Sequence, residues 1–209
     1  MQQIILVGPQ GSGKGTQGEK LSAYLKLPLI VTGNIFRYHI KNNTTLGTLA
    51  KQYINQGKLV PDEVTNQMIA GRLQNSDCQA GFVLDGYPRN LVQVQALDKI
   101  TTITHVLHIA ISDAEAIRRI SQRRTCVEHG HVYHLIYQAP KQAEQCDIDG
   151  SKLIQRDDDT AIALQKRLAI YHSETEPILQ HYQQRQVVNN INGEQAIVSV
   201  WEQIKALFN

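Results

Sequence analysis

A chain of 209 residues is long enough for one well-buried core with room for small insertions. Hydrophobic residues make up 42% and charged residues 19%, which is ordinary for a globular protein and excludes the disordered and fibrous classes. The formal net charge of +2 is too small for a nucleic-acid-binding surface, so we expect small acidic partners. We see no apolar run of membrane-spanning length and no basic leader, and we expect a cytoplasmic protein that binds no membrane.

The first element in chain order is the apolar, β-branched run over residues 2–8, which predicts a strand. A helical pattern follows over 13–25. Further apolar runs that predict strands occur at 27–32, 81–86, 104–111 and 186–191. Helix-like stretches separate them, and parallel strands need such crossovers. The sequence therefore predicts an α/β fold with a parallel five-stranded sheet, helices on both faces and a ligand at the carboxyl ends of the strands.

The loop "GPQGSGKGT", from Gly8 to Thr16, connects the first strand to the first helix. Its alternating glycines let successive N–H groups face inward, and the helix that follows adds its positive pole. Lys14 adds a point charge for β- and γ-phosphates, although Gly15 stands where a phosphate loop ordinarily has its hydroxyl residue. A glycine-rich turn that happens to contain a lysine is the alternative. The strand before and the helix after favour a nucleoside triphosphate site.

The second motif is "FVLDGYPRNLVQ", residues 82–93. Asp85 ends a buried strand, where a carboxylate is costly unless it serves a cation. Gly86 permits close approach of a ligand, and Arg89 offers a planar fork for a phosphate. Gln93 presents both a donor and an acceptor, which suits an adenine edge. The alternative is a strand-to-helix turn with an ordinary ion pair.

The two motifs together resemble the adenylate kinase family of nucleoside monophosphate kinases, in its bacterial type with a long lid. The resemblance covers essentially the whole chain. It implies a P-loop core over 1–30, 61–121 and 160–209, a small helical AMP-binding insertion over 31–60 and a lid insertion over 122–159. The implied reaction is reversible transfer of the γ-phosphoryl group of MgATP to AMP, giving two ADP, by a monomer.

The same resemblance assigns the site residues. For ATP it implies Gly11, Ser12, Gly13, Lys14, Gly15, Thr16, Arg119, Arg123, Val132, Tyr133, His134 and Gln195. For AMP it implies Thr32, Arg37, Lys58, Leu59, Val60, Gly86, Arg89, Gln93, Arg156 and Arg167. For phosphoryl transfer it implies Lys14, Asp85, Arg89, Arg123, Arg156 and Arg167, with Asp158 and Asp159 as candidates for orienting the arginines or the waters of the metal.

Several positions fall outside this pattern. Three arginines, Arg118, Arg124 and Arg185, are expected to be ordinary surface residues. Asn34 stands where the family usually has aspartate, so one carboxylate near the metal or the arginines is missing. Val31 stands where serine is common and Val92 where proline is frequent. We expect none of these changes to remove a substrate contact.

The lid contains two short motifs, "CVEHG" and "CDIDG", each a Cys-x-x-ligand turn that ends in glycine. Two such turns bring four donors to one tetrahedral point. The expected zinc ligands are Cys126, His129, Cys146 and Asp149, with His131 or His134 as substitutes for Asp149. A metal-free cluster of hydrogen-bonded polar residues and a disulfide are the alternatives. The remaining Cys78 is expected to have no role.

The attacking oxygen of AMP is already anionic at neutral pH, so the expected mechanism needs alignment and charge neutralisation rather than a general base. Mobile insertions that close over both substrates would exclude water, which is the competing acceptor. The alternatives are a UMP/CMP kinase or related monophosphate kinase, an ATP-binding switch without catalysis, and a zinc-ribbon nucleic-acid binder, which the near-neutral charge disfavours.

Overall fold

The structure is a computed structural model that describes residues 1–55, 60–155 and 159–209. Within these ranges the central sheet has five strands, all parallel: β1 (Gln2–Val7), β2 (Leu29–Val31), β3 (Gly81–Asp85), β4 (His105–Ala110) and β8 (Val188–Asn192). Their order is β2-β3-β1-β4-β8. In this register Asp85 at the end of β3 pairs with both Leu6 of β1 and Val31 of β2. Asp85 therefore lies at the carboxyl edge of the sheet, between the two neighbouring strand ends.

Helices connect the strands and cover both faces of the sheet. They are α1 (Lys14–Leu25), α2 (Thr32–Lys41), α3 (Thr45–Asn55), α4 (Asp62–Leu73), α5 (Leu91–Asp98), α6 (Asp113–Ser121), α7 (Ala161–Ile170), α8 (Ile178–Gln183) and α9 (Ile197–Lys205). Alternate residues of β1 point to opposite faces, so Ile5 and Val7 join one buried cluster while Ile4 and Leu6 join the other. The first cluster includes side chains of α4, α5 and α8, and the second those of α1 and α9.

The lid is a separate three-stranded antiparallel sheet of β5 (Arg123–Cys126), β6 (Val132–His134) and β7 (Leu153–Ile154), in the order β6-β5-β7. Its buried cluster consists of Cys126, Tyr133, Cys146 and Leu153. Four side chains are a very small core for an independent unit, and such units commonly need a metal or another cross-link.

The predicted fold class is confirmed: the sheet is parallel and helices flank both of its faces. The predicted strands match those observed, with ends that differ by up to two residues. Pro61 precedes α4 as its N-cap, and Thr160 caps α7 by accepting from the backbone N–H of Ala163. Among the described residues, none of the helices combines the length and the apolar character that a membrane crossing requires.

Candidate active site

The glycine-rich loop runs from the end of β1 to the start of α1 and packs closely against β4. A Cβ atom at Gly8 would lie 2.3 Å from the backbone carbonyl oxygen of Ile109, so only glycine fits there. Gly13, with φ 94°, is the N-cap of α1 in the left-handed region. This conformation directs the first free N–H groups of α1 toward the loop. Glycine at these two positions therefore permits the backbone conformation that the expected anion-binding loop needs.

Lys14, the first residue of α1, folds back over this loop. Its Nζ donates to the carbonyl oxygens of Gly8 at 2.7 Å and Pro9 at 2.8 Å. The pKa of Lys14 is lowered to about 8, chiefly by burial; Asp85 opposes the shift, and the positive charges of nearby arginines add to it. The lysine is thus a cation held at a desolvated site, where an arriving anion would stabilise its charge.

Asp85 lies beside the loop at the carboxyl edge of the sheet. Burial raises the pKa of its carboxyl group, and the positive charges of Lys14 and Arg89 oppose that rise. Its Oδ2 lies 4.0 Å from the point where a Cβ at Gly15 would be, so the carboxylate faces the start of α1. Thr32 donates to the backbone oxygen of Asp85 at 3.1 Å, which ties α2 to the same edge.

Three arginines from separate segments of the chain affect the pKa of Lys14. Arg89, Arg123 and Arg167 each lower the pKa of Lys14 by their positive charge, so all three lie within electrostatic reach of the loop. Burial also lowers the pKa of Arg89, and the charge of Arg167 adds to the effect. Cations gathered near one point repel one another, and a bound anion would lower that repulsion. Arg156 and Asp158, expected in the same group, lie outside the described residues.

One arginine of this group has a buried carboxylate partner. Arg123 Nε donates to Asp159 Oδ2 at 3.0 Å, and its Nη2 donates to Asp159 Oδ1. The Asp159 side chain is fully buried, and that of Arg123 is 17% exposed. A bidentate pair fixes the plane of the guanidinium. Asp159 therefore orients Arg123 at the point where the lid leaves α6.

The turn after β3 carries the second motif. Arg89 Nε donates to the carbonyl oxygen of Gly86 at 2.8 Å, while the Arg89 backbone N–H donates to Gln93 Oε1 at 2.7 Å. The amide nitrogen of Gln93 donates to Asp62 Oδ1 at 2.6 Å. Gln93, expected to read adenine, is thus also part of the hydrogen bonding that holds its own turn. The sequence does not predict this contact of Asp62, because an acidic residue in the first turn of a helix is ordinary.

The other residues expected at AMP belong to α2 and to the segment that precedes α4 in the chain. Thr32 is buried at the start of α2, and Arg37 is exposed one turn later. Arg37 donates to the side-chain oxygen of Asn34, a neutral partner that does not compensate the guanidinium charge. Val60 packs against the main core immediately before α4. Lys58 and Leu59 lie outside the described residues.

On the expected ATP side, Arg119 links α6 to the glycine-rich loop. Its Nε donates to Glu115 at 2.6 Å, and its Nη1 lies 3.3 Å from the carbonyl oxygen of Gly11. The arginines expected on the surface have partners as well: Arg118 pairs with Glu115, Arg185 pairs with Asp98, and Arg124 donates to backbone oxygens.

The remaining residues expected at ATP differ in the groups that they could present to a nucleotide. Val132 is exposed, and Gln195 accepts a hydrogen bond from Gln203 at 2.5 Å. His134 Nδ1 accepts from two backbone N–H groups, which leaves the proton on a buried Nε2 that has no hydrogen-bond partner among the described residues. The side chain of Tyr133 points into the lid core, where its hydroxyl lies 3.5 Å from Cys146 Sγ. At Tyr133 only the backbone is therefore available to a nucleotide.

The lid brings together four groups that suit a metal ion. One donor atom from each of Cys126, His131, Cys146 and Asp149 lies within 4.8 Å of the others. Two thiolates, an imidazole and a carboxylate are a donor set that tetrahedral zinc accepts. This set differs from the expected one at a single position, because His131 takes the place of His129 and joins Asp149 instead of replacing it.

The hairpin geometry explains the difference. The Cys126 backbone N–H donates to the His131 carbonyl oxygen at 2.9 Å, so His131 lies directly across the hairpin from Cys126. His129 is at the tip of the turn with 65% of its side chain exposed, and its Nδ1 lies 2.8 Å from Asp149 Oδ2. Ser151 holds the other carboxylate oxygen of Asp149 through its N–H at 2.9 Å and its hydroxyl at 2.6 Å. Asp149 thus presents Oδ2 to the cluster.

Comparison with known proteins shows the family of this chain. The family model described as Adenylate kinase matches residues 6–187. This chain belongs to the adenylate kinase family. It is 44% identical to an adenylate kinase of Caldanaerobacter subterraneus subsp. tengcongensis, over 97% of this chain and 94% of the relative.

Other relatives in the same family come from distant organisms. An adenylate kinase of Streptomyces coelicolor is 45% identical over 90% of each chain. One from Archaeoglobus fulgidus is 40% identical over 98% of this chain and 96% of its own length. These matches extend over nine tenths or more of this chain.

Proposed function

We propose that this chain catalyses the reversible transfer of the γ-phosphoryl group of MgATP to AMP, giving two molecules of ADP. The observation that carries the proposal is the convergence of Lys14, Arg89, Arg123 and Arg167 on one edge of the sheet beside Asp85. A protein that only binds a nucleotide has little use for four cations focused on one point. A transferring phosphoryl group, whose charge is spread over several oxygens, has such a use.

The donor phosphates are held by the loop from Gly8 to Thr16. Its N–H groups and the N-terminus of α1 bind the phosphate oxygens, and Lys14 exchanges its carbonyl partners for the β- and γ-phosphates. Arg119 and the backbone of the lid strand β6 bind the remainder of ATP, with Gln195 nearby. The buried N–H of His134 is a further donor for an oxygen of the nucleotide.

The acceptor is held on the other side of Asp85. Arg37 and Arg89 bind the phosphate of AMP, and Thr32, Gly86, Gln93 and the segment around Val60 bind its nucleoside. Because the AMP phosphate oxygen is already anionic, these residues align it rather than deprotonate it. The guanidinium of Arg123, oriented by Asp159, and that of Arg167 stabilise the charge that develops between donor and acceptor.

Magnesium accompanies ATP in this proposal. The buried carboxylate of Asp85 is a hard oxygen donor facing the start of α1, which is the chemistry that Mg²⁺ or its bound water requires. When bound, the ion neutralises part of the phosphate charge. Asp85 would hold it through water, beside the cations that bind the phosphate oxygens.

Zinc has a structural place in the proposal. Cys126, His131, Cys146 and Asp149 would hold it, and the ion would join the β5–β6 hairpin to the turn that precedes β7. A lid whose hydrophobic cluster has four side chains gains most of its stability from such a cross-link. The ion would keep the ATP-facing strand in position and would take no part in phosphoryl transfer.

The proposal is tested by a coupled assay of ADP formation from MgATP with AMP, CMP, UMP, GMP or no acceptor. Strong turnover with AMP and little without an acceptor supports the assignment. Preference for CMP or UMP would make the chain a pyrimidine monophosphate kinase. Acceptor-independent hydrolysis, or no turnover, would leave an ATP-binding module.

We also propose that the protein is a cytoplasmic monomer, as the family resemblance implies. Analytical ultracentrifugation tests the oligomeric state, and a sedimentation coefficient that rises with protein concentration would contradict it. Cell fractionation of the native host tests the location.

A further inference from the structure

Gln93 is buried and has two polar partners of opposite character. It is 6% exposed, its Nε2 donates to Asp62 Oδ1 at 2.6 Å, and its Oε1 accepts from the Arg89 backbone N–H at 2.7 Å. A carboxylate can only accept and a backbone N–H can only donate. Rotating the amide by 180° would set oxygen against carboxylate and NH₂ against N–H. The two partners therefore permit one orientation of the amide.

The partners are themselves fixed. Asp62 Oδ2 accepts from Asn90 Nδ2 at 3.0 Å, and Asn90 Oδ1 accepts from the Gln93 backbone N–H at 2.9 Å as the N-cap of α5. Asp62 and Gln93 lie 31 positions apart and meet because α4 packs beside α5. A buried network in which each member has its partner resists reorganisation, because any rotation leaves buried groups unpaired.

Gln93 Nε2 uses one of its two N–H groups for Asp62, and Oε1 uses one of its two lone pairs for the Arg89 N–H. One N–H and one lone pair therefore remain for a ligand. A 6-aminopurine presents an amino donor beside the N1 acceptor. A 6-oxopurine presents the reverse, an oxygen acceptor beside an N1–H donor. An amide that can rotate by 180° serves either edge, whereas an amide held in one orientation serves one of them.

We propose that Asp62 is the specificity-determining positioning residue of the acceptor site. It holds the Gln93 amide in the orientation that accepts a 6-aminopurine monophosphate and rejects a 6-oxopurine. The inference rests on the proposed function, because it concerns the acceptor of that reaction. Asp62 acts through Gln93 and does not touch the substrate.

The test compares AMP with IMP as acceptors, since the two differ only at positions 1 and 6 of the purine. In Asp62→Asn the new amide can donate or accept, so the Arg89 N–H alone orients Gln93. The preference for AMP over IMP in kcat/KM is expected to fall about tenfold or more, the value of one hydrogen bond to a charged group. The change should appear mainly in the KM values, with kcat for AMP near that of the wild type.

Glu63→Gln is the matched control. It removes the same charge from the exposed neighbour of Asp62 in the first turn of α4, and it should leave the AMP:IMP preference unchanged. A folded Asp62→Asn protein with wild-type preference overturns the proposal, as does an equal loss of preference in the control. A structural role alone would lower kcat/KM for both acceptors by the same factor.

If Asp62→Asn shows no cooperative thermal unfolding, the variant is not folded and the test is made on the wild-type protein. The scalar coupling across the hydrogen bond from Gln93 Nε2 to the Asp62 carboxyl carbon, measured by NMR, should persist in the complex with AMP. Its disappearance on AMP binding overturns the proposal. Failure of the proposed function is a separate result, since the wild-type protein would then form no ADP with AMP.

Discussion

The lowered pKa of Lys14 makes ATP binding depend on pH in a defined direction. Its ammonium loses its proton near pH 8 in the free protein, because burial lowers the pKa from 10.5 to about 8. Bound phosphates place negative charge beside Nζ and raise that pKa again. Above pH 8, binding ATP therefore requires the uptake of one proton, and affinity falls as the pH rises.

The size of the effect follows from linkage. With a pKa of about 8 in the free protein and a complex in which the phosphates keep Lys14 protonated, affinity falls by up to tenfold per pH unit. Between pH 8 and pH 9.5 the expected loss is about 15-fold. Stability changes in the opposite direction: the unfolded chain binds more protons than the folded one between pH 8 and 10.5, so the Lys14 contribution to stability rises across that window. Weaker binding at high pH is thus separable from unfolding.

Isothermal titration calorimetry with ATP, repeated at each pH in buffers of different ionisation enthalpy, measures both the affinity and the protons taken up. Lys14→Met is the control, since it should bind weakly at every pH and take up no proton. Thiols and the terminal amine also titrate in this range, and they remain in the control. An affinity that stays constant from pH 7 to pH 9.5, or a pH dependence that survives in Lys14→Met, would refute the reasoning.

Three further substitutions test the rest of the site. Arg89→Ala should lower kcat by about 10³-fold with the fold retained, whereas Arg185→Ala, at an arginine outside the site, should have little effect; near-normal turnover in Arg89→Ala would contradict the acceptor assignment. Asp159→Asn removes the carboxylate partner of the largely buried Arg123 guanidinium. It should lower the free energy of unfolding by about 3 kcal/mol in urea titrations, and an unchanged midpoint would count against the buried pair. His131→Ala should weaken zinc binding at least about tenfold in chelator competition and His129→Ala should weaken it less, since only the former is in the donor cluster; the reverse order would make His129 the ligand.

Much of the fold could be predicted because its signals are local. The run over residues 2–8 is apolar and β-branched, and the glycines from Gly8 to Gly15 allow only a tight loop before a helix, so neither prediction needs distant contacts. The placement of Asp85 at the carboxyl edge followed from its position at the end of a buried strand.

Two expected site residues are placed by contacts that the sequence does not show. His129 fits a Cys-x-x-ligand turn by spacing, and the β5–β6 hairpin places His131 directly across from Cys126 and His129 at the exposed tip. Tyr133 is expected at ATP, and the strand alternation that buries Cys126 also turns the tyrosine ring into the lid core. In both cases a strand pairing, and not the distance along the chain, decides which side a side chain faces.

The sequence by itself determined the α/β class, the glycine-rich loop before α1 and the turn after β3, because these depend on backbone preferences of adjacent residues. Only the tertiary structure decided which polar groups become partners: Asp159 with Arg123, His131 with the two cysteines, and Asp62 with Gln93. Those pairs join segments far apart in the chain. Their formation depends on the packing of α4 on α5 and on the pairing of the lid strands, and a local pattern contains no information about either.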